Sequence, residues 1–253
     1  MSMKRIPMSD TCTCRDLAAL RDFAEAALRM KMKTLSCFIE DRAFDESAFN
    51  DLCAEYDGRL QILLIQAGAQ PPALRFDYSI GNIDAVCFDG KVIPFPKTSE
   101  EVRASLPLKE DIYRFLRACM EEMARLADGD NPPDAVRLYD LDMLWNTDGT
   151  LFDANDRRYL GAILDATDAL LERDVVFEVC TVPYQKGRSP ILYPPMFALR
   201  RIGERRGRVM LSSEATSPDL LGASYREAIA LLRACGIGCV CYREENGWKS
   251  KTI

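Results

Sequence analysis

Apolar residues recur along this chain in two alternating patterns, one with the spacing of a helix and one with the length of a buried strand. Helical spacing predicts amphipathic helices over 15–31, 109–127, 156–172 and 224–236. Short apolar runs of strand length lie between and around these helices. Those runs are 34–39, 60–66, 83–88, 134–139, 175–180, 208–213 and 238–242. Mostly apolar strands that alternate with helices are typical of a parallel sheet buried on both faces.

The strand count and the chain length favour a closed or distorted β/α barrel. The chain has 253 residues, which is the size of such a barrel. No glycine-rich nucleotide-binding pattern follows a predicted strand, so an open, doubly wound dinucleotide-binding sheet loses its main support. We predict an α/β fold in a single domain that spans residues 1–253.

Charge and cysteine usage exclude several classes of protein. The net charge is −6, which argues against a nucleic-acid surface. The first residues lack the apolar core of a signal peptide, and the longest apolar run, 62–65, is too short to span a bilayer. Ten cysteines occur without a C-x-x-C pair, and we expect them to be reduced. We therefore predict a cytoplasmic protein that binds neither nucleic acid nor membrane.

The chain contains no histidine. The commonest metal ligand and the usual proton shuttle at neutral pH are both absent. Any catalysis would need carboxylates with shifted pKa values, cysteine, lysine, or a metal held by oxygen and sulfur.

Chemistry in parallel α/β folds gathers at the carboxyl ends of the strands. Several residues that stand out against the apolar runs fall at such ends. They are Asp10, Cys12, Cys14, Phe38, Gln66, Asp84, Asp140, Glu178, Glu214 and Thr216.

The order and spacing of these residues resemble the polymerase and histidinol phosphatase (PHP) superfamily, in particular its histidinol phosphatase branch. SDTCTC at 9–14 is similar to an Asp-x-His-x-His motif, with Cys12 and Cys14 at the histidines. IGNID at 80–84 is similar to Ile-Gly-Ser-Val-His, and SSEATSP at 212–218 to Ser-Asp-Ala-His-Ser-Pro.

The resemblance also assigns the other strand ends. It places Phe38 at a histidine, Gln66 at a metal-bridging glutamate and Asp140 at a further histidine, with Tyr139 as the alternative. Glu178 is the retained acid of a Glu-Ile-Asn motif, and Cys180 stands at its asparagine.

The resemblance implies that the chain folds as a distorted (β/α)7 barrel. Members of the superfamily hydrolyse phosphoesters with two or three metal ions. Most ligand positions here have lost their donor, since Phe38 cannot ligate and Gln66 lacks the charge for bridging. We therefore expect an inactive relative without a cofactor, which binds a small, anionic or phosphorylated ligand or a protein partner.

Two other interpretations stay open. The first is a rebuilt metal site, selective for zinc because of its thiolates, in a phosphoric monoester hydrolase. Its ligands would be Cys12, Cys14, Asp84, Asp140, Glu178 and Glu214. The second is a metal-free enzyme that uses a cysteine nucleophile or a carboxylate pair.

Glu178 lies in an apolar strand, where a buried charge needs a partner. Lys186 or Arg188 is the partner that we expect, so that a side-chain cation would replace the charge of a metal. The same two residues, together with Arg15, are candidates for binding an anionic ligand.

Overall fold

The computed structural model describes residues 9–40, 45–67, 76–106, 111–129, 131–146, 148–182 and 192–253. The described strands are β1 (Ser9–Cys14), β2 (Thr34–Ile39), β3 (Gln61–Ala67), β4 (Tyr78–Gly81), β5 (Ala85–Phe88), β6 (Lys91–Pro94), β7 (Ala135–Val136), β8 (Val176–Cys180), β9 (Arg208–Ser212), β10 (Cys239–Glu244) and β11 (Gly247–Thr252). The described helices are α1 (Leu17–Arg29), α2 (Glu46–Tyr56), α3 (Ser99–Ser105), α4 (Ile112–Arg125), α5 (Leu141–Trp145), α6 (Arg157–Glu172), α7 (Met196–Glu204) and α8 (Tyr225–Ala234), with a short 3-10 helix at Pro218–Leu220.

Nine strands form one sheet in the order β1-β2-β3-β4-β7-β8-β9-β10-β11. Neighbouring strands are parallel, except that β11 returns antiparallel to β10. The sheet is curled, because β1 is also bonded to the segment that follows β9. The Thr13 amide donates to the Ala215 carbonyl at 2.9 Å, and the Ala215 amide donates to the Thr11 carbonyl at 3.1 Å. The result is an α/β fold with a barrel-like sheet.

One face of the curled sheet is filled by side chains from many strands. This inner cluster contains Leu63, Ile65, Tyr78, Ile80, Ala135, Val176, Met210 and Cys241. The ring of Trp248 in β11 meets Tyr78 edge to face at 5.8 Å. Because side chains alternate across a strand, the residues between these positions face the helices.

Helices cover the outer face of the sheet. Leu20 and Phe23 of α1 pack there with Leu35 of β2 and Leu64 of β3. The four helices predicted from the periodicity are present as α1, α4, α6 and α8. Three of them begin after an aspartate that caps the first turn, as Asp16 does by accepting from the Ala19 amide at 2.8 Å. Full burial of each large apolar side chain stabilises the fold by about 2 kcal/mol.

The strands differ from the prediction at several places, since β1, β4, β6 and β11 lie outside the predicted apolar runs. The run 83–88 does not enter the main sheet, since β5 pairs with β6 in a separate antiparallel hairpin whose turn places Asp89 and Gly90 at positive φ. The shorter β4 takes that place beside β3. Strand β1 was missing from the apolar runs because threonine and aspartate interrupt it.

Within the described part of the chain, none of the helices combines the length and the apolar composition needed to cross a membrane.

Candidate functional site

A buried arginine links two carboxylates at the carboxyl ends of β7, β8 and β9. Arg137 Nε donates to Glu178 Oε2 at 2.6 Å, and its Nη2 donates to Glu178 Oε1 at 2.8 Å. The same Nη2 donates to Glu214 Oε1 at 2.5 Å. The exposed fractions of these side chains are 11% for Arg137, 0% for Glu178 and 24% for Glu214. We call these three residues the Arg137 cluster.

Strand geometry places the cluster on the inner face. Arg137 follows Ala135 by two residues and Glu178 follows Val176 by two, and both alanine and valine belong to the inner cluster. In the register of β7 with β8, Val136 pairs with Phe177. The next residues along the two strands are therefore Arg137 and Glu178, which meet as charged neighbours.

Burial alone would lower the pKa of the Arg137 guanidinium, but the charges of Glu178 and Glu214 outweigh it and raise that pKa well above its ordinary value. Cys180 lies beside the cluster, with its Sγ 3.9 Å from Glu214 Oε2. Burial raises the pKa of the Cys180 thiol well above its usual value, although the nearby guanidinium opposes the shift. The thiol is thus neutral at pH 7 and is a poor nucleophile.

Glu214 is held in a strained backbone conformation. Its φ is +43°, in the left-handed region that costs a non-glycine residue on the order of 1 kcal/mol. The Glu214 amide donates to Thr11 Oγ1 at 3.1 Å, and Thr11 Oγ1 lies 2.6 Å from Ser212 Oγ. These contacts, with the bonds of Ala215 to β1, fix the carboxylate toward Arg137.

The fit of a metal ion depends on the donors that this cluster leaves free. Arg137 occupies both oxygens of Glu178 and one of Glu214. A guanidinium stays charged at any accessible pH, so a metal at this point would lie beside a buried cation. In the ranges that the structure describes, no three cysteine, aspartate or glutamate side chains are arranged to hold a metal. The residues of the cluster do not fit a metal centre.

Asp10, the second residue of the SDTCTC motif, is buried and accepts several hydrogen bonds. It accepts from the amides of Thr11 (2.7 Å), Ser213 (2.8 Å) and Gly222 (2.6 Å), from Ser213 Oγ (2.6 Å) and from the Tyr225 hydroxyl. Burial raises the pKa of Asp10, and these hydrogen bonds oppose the shift. The carboxylate ties β1 to the segment after β9 and to α8.

Cys12 and Cys14 share the face of β1 that is turned to the helices. Both are buried in the cluster that contains Leu20 and Phe23 of α1 and also Cys37. Their Sγ atoms lie 3.5 Å apart. Burial raises the pKa of the Cys12 and Cys37 thiols well above the usual value. Since positions 11 and 13 carry the inner side chains of β1, the two cysteines face away from the Arg137 cluster.

Asp140 is also buried, and it caps α5. Its Oδ1 accepts from the Tyr159 hydroxyl at 2.9 Å and from the amides of Asp142 (3.1 Å) and Met143 (3.3 Å). Burial raises the pKa of Asp140 to about 6, although these bonds oppose the shift. The neighbouring Tyr139, its alternative in the motif, stacks on Phe95 with ring centroids 5.3 Å apart.

The remaining predicted residues are more scattered. Phe38 packs against the inner cluster, and Gln66 is half-buried at the end of β3 beside Ser79. Asp84 and Thr216 are exposed. Arg15 is exposed and pairs with Asp16 at 2.9 Å. Lys186 and Arg188 lie outside the described residues.

The sequence prediction missed Arg137, which is the partner that the structure gives to Glu178. A signal was present in the chain. The runs 134–139 and 175–180 are apolar strands that each carry one charge in the middle, and the two charges have opposite sign. Adjacent placement of these strands would have paired the charges.

No family model matches the chain, and no curated protein matches its sequence. Solved structures do match. The histidinol phosphate phosphatase of Lactococcus lactis, in complex with zinc, L-histidinol and phosphate, superposes with a TM-score of 0.64 at 14% identity over 96% of this chain and 98% of its own. A putative histidinol phosphatase of Listeria monocytogenes gives a TM-score of 0.68 at 10% identity over 86% and 98%.

The chain has a histidinol-phosphatase-like fold. At these identities the likeness concerns the fold alone. It agrees with the predicted α/β fold with a barrel-like sheet, whereas the seven-stranded barrel and the correspondence of single residues to the metal motifs stay predictions.

Proposed function

We propose that this chain is a non-catalytic relative of the PHP phosphoesterases, built as one distorted (β/α)7 barrel domain that binds a small ligand or a protein partner. The observation that carries the proposal is the Arg137 cluster. In this site the Arg137 side chain supplies the positive charge that a metal ion supplies in a metal-dependent phosphoesterase.

The barrel assignment is supported by the strand pairing. Strands β1, β2, β3, β4, β7, β8 and β9 follow one another in parallel, and the bridge between Cys12 and Ala215 joins the last of them back to the first. On this count seven parallel strands form the barrel, and β10 contributes Cys241 to the inner cluster. The carboxyl ends of β7, β8 and β9 then open on one mouth, where Arg137, Glu178 and Glu214 meet.

The absence of catalysis is argued from charge. Phosphoester hydrolysis of the metal-cluster type needs carboxylates that bridge cations and an activated water. Here Arg137 holds both oxygens of Glu178 and one oxygen of Glu214, and a guanidinium cannot generate hydroxide because it does not release its proton. Burial raises the pKa of the nearby Cys180 thiol well above its usual value. The cluster therefore offers neither an imidazole nor a free thiolate as a general base near neutral pH.

The ligand is expected at the mouth that the cluster lines. The cluster carries one positive and two negative charges, so an anionic ligand would need further cations. Arg15, Lys186 and Arg188 are the residues that the sequence offers for that role. A protein partner would meet the same rim.

A rebuilt zinc site is the alternative, with Cys12, Cys14, Asp84, Asp140, Glu178 and Glu214 as its ligands. Cys12 and Cys14 are buried against the helices, on the face of β1 turned away from Glu178 and Glu214.

The proposal is tested by measuring the metal content of freshly purified protein and its rate of phosphoester hydrolysis. We expect less than a tenth of an equivalent of zinc, manganese or iron, and no hydrolysis of histidinol phosphate or an aryl phosphate above background with added zinc, manganese or magnesium. The matched variant is Arg137→Ala, which frees the carboxylates. Stoichiometric zinc in the wild type, with saturable, metal-dependent turnover that Glu178→Gln abolishes, would establish the alternative.

Binding is tested on the same sample. Isothermal titration with inorganic phosphate, histidinol phosphate and histidinol distinguishes anionic from cationic ligands. Saturable heat that is lost in Glu214→Gln supports a ligand site at the mouth. Absence of heat for all three compounds, with a monomer that captures no partner in crosslinking of cell extract, contradicts the binding function.

A further inference from the structure

A cavity lies at the amino-terminal ends of β2 and β3, whereas the Arg137 cluster lies at carboxyl ends of strands. Its volume is about 790 Å³, which suits a small organic molecule. Its buried apolar lining consists of Leu60, Ile62 and Leu63. The turn between β10 and β11 borders the cavity, and the Glu245 amide in that turn donates to Gln61 Oε1 at 3.3 Å.

The Thr34 hydroxyl is the polar group that points to a ligand. Thr34 lines the cavity and is 1% exposed. The next residue in β2, Leu35, packs with α1 on the outer face, so the Thr34 side chain is turned to the inner face, as Leu63 is in β3. Among the residues that the structure describes, Thr34 Oγ1 and Asn82 Oδ1 are the buried side-chain polar atoms without a hydrogen-bond partner. A buried hydroxyl without a partner costs free energy that a bound hydrogen-bonding group recovers.

The group of the ligand that meets Thr34 is neutral. The charged residues that line the cavity are exposed or half-buried and form its rim; they are Lys33, Asp57, Arg59, Asp77, Glu244 and Glu245. A carboxylate or ammonium group placed against the buried Thr34 would lose its hydration without meeting an opposite charge. A ligand hydroxyl can both donate to the Thr34 hydroxyl and accept from it.

The rim carries charges of both signs, which defines the rest of the ligand. Lys33 and Arg59 are donors only, whereas Asp57 and Asp77 are acceptors when ionised. A ligand with a single net charge would meet a like charge at this rim. Hydroxyl groups donate to carboxylates and accept from ammonium and guanidinium groups, so several neutral hydroxyls on one molecule match the whole rim.

We propose that this cavity binds a neutral polyhydroxylated molecule, namely a monosaccharide or a sugar alcohol. One ligand hydroxyl bonds to Thr34 Oγ1, the carbon skeleton packs on Leu60 and Leu63, and the other hydroxyls meet the rim. The site does not use the Arg137 cluster, so the proposal stands independently of the function proposed for the mouth.

The proposal is tested by saturation-transfer difference NMR of the full chain with D-glucose, D-xylose and D-mannitol. L-serine, a zwitterion with charges of both signs, is the comparison compound. We expect at least one of the three neutral compounds to bind saturably with a Kd of about 10 mM or tighter, and serine to bind at least tenfold more weakly. No saturable binding of any neutral compound up to about 50 mM, or equal binding of serine, would overturn the proposal.

Two variants and a control locate the site. Thr34→Val keeps the shape, removes the hydroxyl and should weaken binding of the sugar at least tenfold. Because that hydroxyl has no partner in the unliganded protein, the same variant should keep or raise Tm, which a structural role of Thr34 would not allow.

Ala54→Trp fills the cavity from the exposed side of α2 and should abolish binding even if Thr34→Val unfolds. Thr252→Val removes a hydroxyl from an exposed position of β11 that does not line the cavity and should leave binding unchanged. Undiminished binding of the sugar in Ala54→Trp, or in a folded Thr34→Val, refutes the assignment.

Discussion

Replacing Arg137 with methionine keeps an unbranched apolar stem and removes the charged guanidinium. Glu178 is fully buried, and both of its oxygens are bonded to Arg137. The variant leaves that carboxylate without its partner in the interior of the sheet. Breaking a buried ion pair from one side typically costs about 3–5 kcal/mol. For a chain of this size such a loss lowers Tm by roughly 6–20 °C.

The pH dependence of the variant gives an independent check. Without the guanidinium, the carboxylate of the fully buried Glu178 has lost its charged partner, and burial favours the neutral form of a carboxyl group. A carboxyl group whose neutral form is favoured in the folded state stabilises the fold only while it is protonated. The free energy of unfolding therefore falls as pH rises above about 4.3, the ordinary pKa of a glutamate in the unfolded chain. The penalty of Arg137→Met should therefore be largest at pH 7.5 and shrink toward pH 4.5.

The double variant Arg137→Met, Glu178→Gln removes both buried charges and separates the pair from the packing. We expect it to recover at least half of the loss, because replacing a whole buried pair by neutral side chains is often close to neutral. The free energy of unfolding is measured by urea titration followed by circular dichroism. A loss below 1 kcal/mol in Arg137→Met, or a double variant that is no more stable than the single one, would contradict the role assigned to the Arg137–Glu178 ion pair.

Three further predictions concern other buried groups. Asp10→Ala should lower the free energy of unfolding by about 3 kcal/mol or more in the urea titration, because the variant leaves several buried donors without an acceptor. A loss below 1 kcal/mol would show that the hydrogen bonds of Asp10 do not stabilise the fold. In the native protein a thiol reagent should react quickly with the exposed Cys87 and Cys239 and slowly with Cys12, whose buried thiol has a raised pKa; fast labelling of Cys12, located by mass spectrometry, would show that the β1 face is open. Burial raises the pKa of Asp140 to about 6 in the folded protein, so the contribution of Asp140 to the free energy of unfolding should fall by about 3 kcal/mol between pH 3.8 and pH 6 and stay constant above pH 6. Asp140→Asn should reduce this pH dependence of the free energy of unfolding. An unchanged pH dependence in the variant would contradict the raised pKa.

The sequence by itself determined the parts of the fold that rest on local patterns. Helical spacing located α1, α4, α6 and α8, and the apolar runs located β2, β3, β8 and β9. It also determined that Glu178 interrupts an apolar strand and that Glu214 follows one. These features depend only on neighbours within a few positions along the chain.

Tertiary structure decided which charges meet. Arg137 becomes the partner of Glu178 because β7 lies beside β8 with Val136 opposite Phe177, and strand order and register are properties of the whole sheet. It joins Glu214 because the segment after β9 is bonded to β1. Neither neighbour relation is encoded within a single strand.

Tertiary structure also decided which face of β1 carries the site. Because side chains alternate along a strand, Asp10, Cys12 and Cys14 point to the same side of the sheet. The alternation does not determine whether that side is the inner or the outer face. Packing of α1 and α2 on that side turned the cysteines into core residues and left Thr11 to support Glu214. The physical reason is that a face becomes inner or outer only when the sheet curls and the helices cover it.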